Sequence, residues 1–146
     1  MLSFIGEYTG KTDNKSRVVV PSAFRKEMLK AQQTVFVLRK NIFEACIDVY
    51  PLNEWELMVA NMKSALNLFD RKHATFFRAF YSGAQEVEMD GSGRILLPKR
   101  LLDEIQVDKD MIFSGQDSKI EIWNPERYEG AKLSGEDFAA MTQEIF

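Results

Sequence analysis

The chain carries one motif twice, and that repetition limits what it can fold into. Asp13-Asn14-Lys15-Ser16-Arg17-Val18-Val19-Val20-Pro21 aligns with Asp90-Gly91-Ser92-Gly93-Arg94-Ile95-Leu96-Leu97-Pro98. Asp, Arg and Pro coincide, and the positions between Arg and Pro are apolar in both. The register runs back to pair Gly6 with Gly83, and forward to pair Phe24 with Leu101, Glu27 with Glu104, Met28 with Ile105 and Phe36 with Phe113. It then shifts by four residues, so that Ile47 to Tyr50 matches Ile120 to Trp123 and Trp55 matches Tyr128. The extra residues of the first copy fall around Arg39 to Ala45, between two strand-like runs, where an insertion costs little. Self-similarity of this kind marks two structural repeats in one chain.

Each copy reads as strand, turn, strand, short helix, strand, strand. Val18 to Val20 and Ile95 to Leu97 are short apolar runs ending at proline, the pattern of a strand buried on both faces. Pro21-Ser22 and Pro98-Lys99 then stop the ladder and can open a helix. Phe24, Met28 and Leu29 share one helical face, as do Leu101, Leu102 and Ile105. Val35 to Leu38 with Ile47 to Tyr50, and Met111 to Phe113 with Ile120 to Trp123, form the remaining strand pairs.

Between the copies Asn53 and Glu56 make a capping box, with Trp55, Val59, Met62, Leu66 and Phe69 following at helical spacing. Asp70 caps a second helix on which His73, Phe76, Phe77 and Phe80 share a side before Ser82-Gly83 ends it. A last helix starts at Ser134, with Asp137 three residues on, and is expected to bury Phe138, Met141 and Ile145. The expected division is repeat 1 over 4–51, a helical linker over 52–81, repeat 2 over 82–125 and a helical tail over 126–146. The fold class is α+β, and the linker helices either cover the sheets or join subunits.

The chain of 146 residues suits one compact domain or two small units sharing a core. A single cysteine, Cys46, in the apolar run Ala45-Cys46-Ile47, excludes an internal disulfide and a Cys-rich metal site, and reads as a buried reduced thiol. The N-terminus lacks the basic and apolar regions of a signal peptide, and no window is apolar enough for a membrane span, so a cytosolic protein is expected.

Enzymatic chemistry has little to stand on. The one histidine, His73, lies on an apolar helical face, as a packing or capping residue would. Glu86 and Glu88 alternate around Val87 like the outer face of a strand. Gly91 and Gly93 precede a strand, where a phosphate loop would lead into a helix. No nucleophile with its base and orienter can be assembled, and no cofactor, metal or small-molecule substrate is expected.

The sharpest local feature is Asp-x-x-x-Arg, as Asp13 with Arg17 and Asp90 with Arg94. An aspartate at a turn accepts backbone N–H bonds, and an arginine four residues on bridges back across the hairpin. Asp13, Asp90 and Arg94 are thus candidates for organising the hairpins, while the first turn has Ser16 where the second has Gly93. The copies differ in charge. Lys11, Lys15, Arg17, Arg25, Lys26 and Lys30 face only Asp13 and Glu27 in the first, whereas acids outnumber bases in the second. The net charge of −3 argues against a uniformly basic molecule, but phosphates respond to a local patch. Lys11, Lys15, Arg17, Arg25 and Lys26 are therefore the candidate DNA-binding residues, with a merely solvated charged face as the alternative.

The two Asp-x-x-x-Arg-apolar-Pro blocks resemble the swapped-hairpin β-barrels of AbrB-like regulators, a double-split β-α-β arrangement. The linker and second block, from Phe76 to Pro98, and the opening Gly6-Glu7-Tyr8 leading into Asp13 to Arg25, resemble the MraZ family of transcriptional regulators over roughly residues 4–130. The chain departs from that family at Ser16, where glycine is usual, and after Leu133. The resemblance implies a nucleoid-associated, ring-shaped homo-oligomer in the cytoplasm. Such a ring would bind double-stranded DNA at short direct repeats upstream of the division and cell-wall gene cluster, its own operon. The first-hairpin arginine, here Arg17, would touch DNA with Lys15 beside it. A protein-interaction or antitoxin-like use of the same barrel is the competing expectation.

Overall fold

The computed structural model describes residues 2–146, and its elements follow the repeat. The first copy supplies β1 (Glu7–Lys11), β2 (Arg17–Val19), α1 (Ser22–Lys30), β3 (Val35–Lys40) and β4 (Cys46–Pro51). Two helices follow, α2 (Leu52–Ala65) and α3 (Arg71–Ser82). The second copy supplies β5 (Gln85–Glu88), β6 (Arg94–Leu96), α4 (Lys99–Glu104), β7 (Asp110–Gln116) and β8 (Lys119–Trp123), and the chain continues into α5 (Pro125–Ala131) and α6 (Gly135–Ile145). The protein is α+β, as the pattern requires.

The copies exchange strands. β1 of the first copy pairs antiparallel with β7 of the second, from Glu7 opposite Ser114 to Lys11 opposite Asp110. Reciprocally, β5 of the second copy pairs with β3 of the first, from Val35 opposite Glu88 to Leu38 opposite Gln85. β4 joins β8 across the middle, so the sheet runs β1-β7-β8-β4-β3-β5. Among the described residues β2 and β6 pair only with each other, as a separate two-stranded ribbon. Among the described residues no closed barrel is formed: β1 and β5 are open edges. Pro21 and Pro98 lack the N–H that would carry the three-residue ribbon strands further.

One apolar core spans both copies. Phe24 and Met28 from α1, Leu101, Leu102 and Ile105 from the α4 segment, Phe36 and Leu38 from β3, and Ile120 and Ile122 from β8 are all buried in it. Phe4 closes one end, edge to face with Phe24. Trp55 stacks on Phe80 beside Val37 in a smaller cluster under α2 and α3.

Several details depart from the sequence pattern. The ribbon strands are not buried on both faces: Val18 and Ile95 are in the core, but Val19 is 50% exposed and Leu96 53%. A ribbon has only one face to give to the core. Leu29 is exposed, because α1 packs through Phe24 and Met28, with Ala23 beside them. α2 begins at Leu52 behind Pro51 with no side-chain cap, and the Asn53 N–H is bonded to Gln33 Oε1 at 3.1 Å, so the Asn53–Glu56 capping box does not form. α2 ends at Ala65, which leaves Phe69 in solvent. Asp70 does cap α3, accepting from the N–H groups of Lys72 and His73. α5 is a separate short helix capped by Asn124. α6 is capped by Ser134 as expected, but Phe138, Met141 and Ile145 are all exposed.

Candidate functional site

Each repeat builds the same hairpin from its own sequence. Asp13 Oδ1 accepts the N–H groups of Lys15 at 2.8 Å and Arg17 at 2.9 Å, while Oδ2 takes Arg17 Nε at 3.0 Å. Asp90 Oδ1 accepts from Ser92 and Arg94, both at 2.9 Å, and Oδ2 takes Arg94 Nε at 2.9 Å. The N–H bond from its arginine, above all, holds each aspartate below its ordinary pKa, against the opposing effect of burial. The hairpins then lock to one another. The Val20 N–H donates to Gly93 O at 2.9 Å, and the Leu97 N–H to Ser16 O at 2.8 Å.

The antiparallel register decides where the arginines point. Arg17 lies opposite Leu96 and Val19 opposite Arg94. Directly opposed residues share a face, and Val18 and Ile95 take the inner one. Arg17, Val19, Arg94 and Leu96 therefore form the outer face of a single ribbon. Both arginines are tied through Nε, and among the described residues neither makes a hydrogen bond through its Nη groups. The ribbon presents two guanidinium forks that are already oriented.

The basic residues singled out in the sequence are not all alike. Lys15 is exposed at the tip of the first turn, and Lys26 is exposed on α1. Lys11, at the end of β1, faces Asp110 at 3.6 Å. Arg25 donates from Nε to Val20 O at 2.9 Å and lies over Gly93, where a Cβ would stand 2.5 Å from its Cδ. Arg25 thus braces the contact between the hairpins. The sequence marks Arg94 only as a hairpin residue; the structure sets it on the same face as Arg17. The pairing of Arg17 with Leu96 and of Val19 with Arg94 is the missing signal, and it requires knowing that β2 meets β6.

A second polar cluster sits on the far side of the sheet. Cys46 Sγ and the carboxylates of Asp48 and Glu121 lie within 4.8 Å of one another, close enough to hold a cation. Lys119 Nζ fills that place, at 2.8 Å from Asp48 and 3.3 Å from Glu121. Burial pulls the Lys119 ammonium toward deprotonation, but the bond to Asp48 and the neighbouring carboxylates outweigh it, and its pKa is raised. Burial, with Glu121 and Asp48 adding to it, pushes the Cys46 thiol far up. His73 acts in the chain's local geometry, its Nδ1 accepting the Asn67 N–H at 2.8 Å.

The class these features define is a tandem-repeat α+β protein with exchanged strands and a two-arginine ribbon. Comparison with known proteins specifies it further. The family model described as "MraZ protein, putative antitoxin-like" matches residues 3–79 and again residues 80–145. A protein of Bacteroides thetaiotaomicron named transcriptional regulator MraZ is 39% identical over 145 residues, covering 99% of this chain and 93% of that relative. Proteins of the same name are 36% identical in Christiangramia forsetii, over 99% of this chain and 94% of the relative, and in Clostridium acetobutylicum, over 97% and 96%. The chain belongs to the MraZ family. No helix among the described residues is long and apolar enough to cross a membrane.

Proposed function

We propose that the protein is a transcriptional regulator that binds double-stranded DNA sequence-specifically through the outer face of the β2–β6 ribbon, and that it is not an enzyme. The observation that carries this is the pair Arg17 and Arg94, each anchored through Nε on the same exposed face with its Nη groups free. The major groove, about 12 Å wide, admits a two-stranded ribbon, and an arginine fork matches O6 and N7 of guanine. Lys15 at the turn and Lys26 on α1 are positioned to meet phosphates, and Lys11 lies at the rim. Arg25, with Asp13 and Asp90, holds the hairpins in shape. The names of the relatives support the regulatory role.

The exchange of β1 and β5 fits the swapped-hairpin arrangement of AbrB-like regulators. In this proposal repeat 1 (4–51) and repeat 2 (82–125) each give one arginine to the ribbon, and the linker (52–81) and tail (126–146) give assembly surfaces. A molecule of net charge −3 that offers one small basic face binds DNA weakly alone. A ring of copies engaging direct repeats as linked events gains avidity without new contacts at each site. The expected targets are the direct repeats upstream of the division and cell-wall operon containing its own gene, with the protein working in the cytoplasm at the nucleoid.

The test is a gel shift with DNA from upstream of the protein's own gene, over a salt series. A steep salt slope, with competition only by repeat-containing DNA, is expected; sequence-blind binding would sink the proposal. The exposed aromatic residues of α3 favour one other reading, a protein-interaction or antitoxin-like assembly module. Under that reading Arg17→Ala leaves the protein's role unchanged.

A further inference from the structure

α6 is an amphipathic helix that no other described element covers. Its eleven residues leave no side chain buried, and a helix shorter than about 12–15 residues is marginal in water without packing. Phe138, Met141 and Ile145 lie at i, i+3 and i+7, on one stripe. The helix carries Glu136, Asp137 and Glu144 and no basic residue.

α3 has complementary features. Leu68, Ala74, Phe77, Arg78, Tyr81 and Ser82 line a groove of about 410 Å³ along one side of it. Ala74, Phe77 and Tyr81 repeat the i, i+3, i+7 spacing, so both stripes run about 10 Å along their helices. α3 carries Arg71, Lys72 and Arg78 and no acidic residue. Among the described residues, none of these three cations and none of the three α6 carboxylates is in an ion pair.

The two helices leave the fold at opposite edges. α5, which precedes α6, is tied to the β1–β7 edge by Tyr128 OH with Ser114 Oγ at 3.1 Å and by Lys132 with Glu7 at 3.8 Å. α3 is tied to the other side by Arg39 Nε donating to Phe80 O at 2.8 Å, and runs directly into edge strand β5. A donor at one edge and an acceptor at the other describe a head-to-tail contact, the kind that generates a ring where the rotation between copies closes.

We propose that α6 of one copy docks along the Phe77–Tyr81 side of α3 in a second copy of this chain, its acidic flanks facing Arg71, Lys72 and Arg78. This rests on the ring reading above and names the contact that makes the ring.

Sedimentation velocity on the full chain tests it. One variant carries Glu136→Lys, Asp137→Lys and Glu144→Lys; the other carries Arg71→Glu, Lys72→Glu and Arg78→Glu. Each is expected to need at least about tenfold more protein for half-assembly. Their equimolar mixture, in which each altered helix again meets an opposite charge, is expected to recover the wild-type size. Phe138→Ser with Ile145→Ser, at exposed positions, is expected to lose assembly while its melt matches that of the wild-type chain diluted below its assembly concentration. Assembly unchanged in these variants, or a mixture that fails to recover, overturns the docking proposal while leaving the ring intact. A wild-type chain that stays monomeric overturns the ring, and the docking with it. DNA binding is read separately with Arg17→Ala, which is expected to keep wild-type assembly.

Discussion

Ser16 holds in the first hairpin, at φ 62°, the left-handed position that Gly93 holds at φ 78° in the second. A residue with a Cβ loses about 1–2 kcal/mol there, partly offset by the greater freedom glycine has when unfolded. Ser16→Gly is expected to raise stability by about 0.5–1 kcal/mol. Gly93→Ala is expected to lower it by about 2 kcal/mol: the new Cβ would stand 2.5 Å from Arg25 Cδ, and Arg25 is held by its bond to Val20 O. Thermal or urea melts of the two variants check both signs.

If the ribbon reads DNA, both its arginines matter. Arg17→Ala and Arg94→Ala are each expected to weaken binding to the operator by about 1–3 kcal/mol and to relax sequence preference, with circular dichroism confirming the fold. Lys15→Ala is expected to weaken binding to all sequences alike and to flatten the log–log salt dependence by about 0.9. Titrations by fluorescence anisotropy at several salt concentrations separate the two behaviours.

Asp13 and Asp90 are held below their ordinary pKa, first by the N–H of Arg17 and of Arg94. A depressed folded-state pKa means the carboxylates' contribution is in place above the unfolded value and is lost as pH falls through the folded one. The hairpins are thus expected to stay closed at mildly acid pH and to loosen only below the usual aspartate range. Carboxyl carbon shifts followed by NMR should give midpoints for these two residues below that of aspartate in an unstructured peptide.

Removing Lys119 leaves two carboxylates facing each other with little solvent. Lys119→Met is expected to cost about 3 kcal/mol, since the Asp48 side chain is only 8% exposed. The same pocket keeps Cys46 as an unreactive thiol. It should resist a thiol-specific disulfide reagent in native buffer and react once denaturant is added.

Much of this fold is legible in the sequence because its elements are local. The repeated Asp-x-x-x-Arg-apolar-Pro block fixes two hairpins, and Asp70 and Ser134 mark real helix starts. The exchange of β1 and β5 is implied by the resemblance to swapped-hairpin proteins but is not legible in the two strands themselves. Glu-Tyr-Thr-Gly-Lys and Gln-Glu-Val-Glu lack a strong apolar pattern, and a strand's partner is decided by a core assembled from residues far apart. Arg94 was obscured for a related reason. The segment around it carries more acids than bases, whereas its partner across the ribbon is Val19. Leu29 and Phe138 read as buried because periodicity shows that a face is apolar without showing what covers it.

The pairing of β1 with β7 also sets a timetable for synthesis. About 100 residues separate the partners, and at about 5–20 residues per second the ribosome takes roughly 5–20 seconds to deliver the second after the first. Throughout that interval the opening strand has no neighbour, and a nascent chain on an adjacent ribosome could offer it one. Glu7 and Lys11, charged residues at both ends of a five-residue strand, are the kind of side chains that discourage such mispairing.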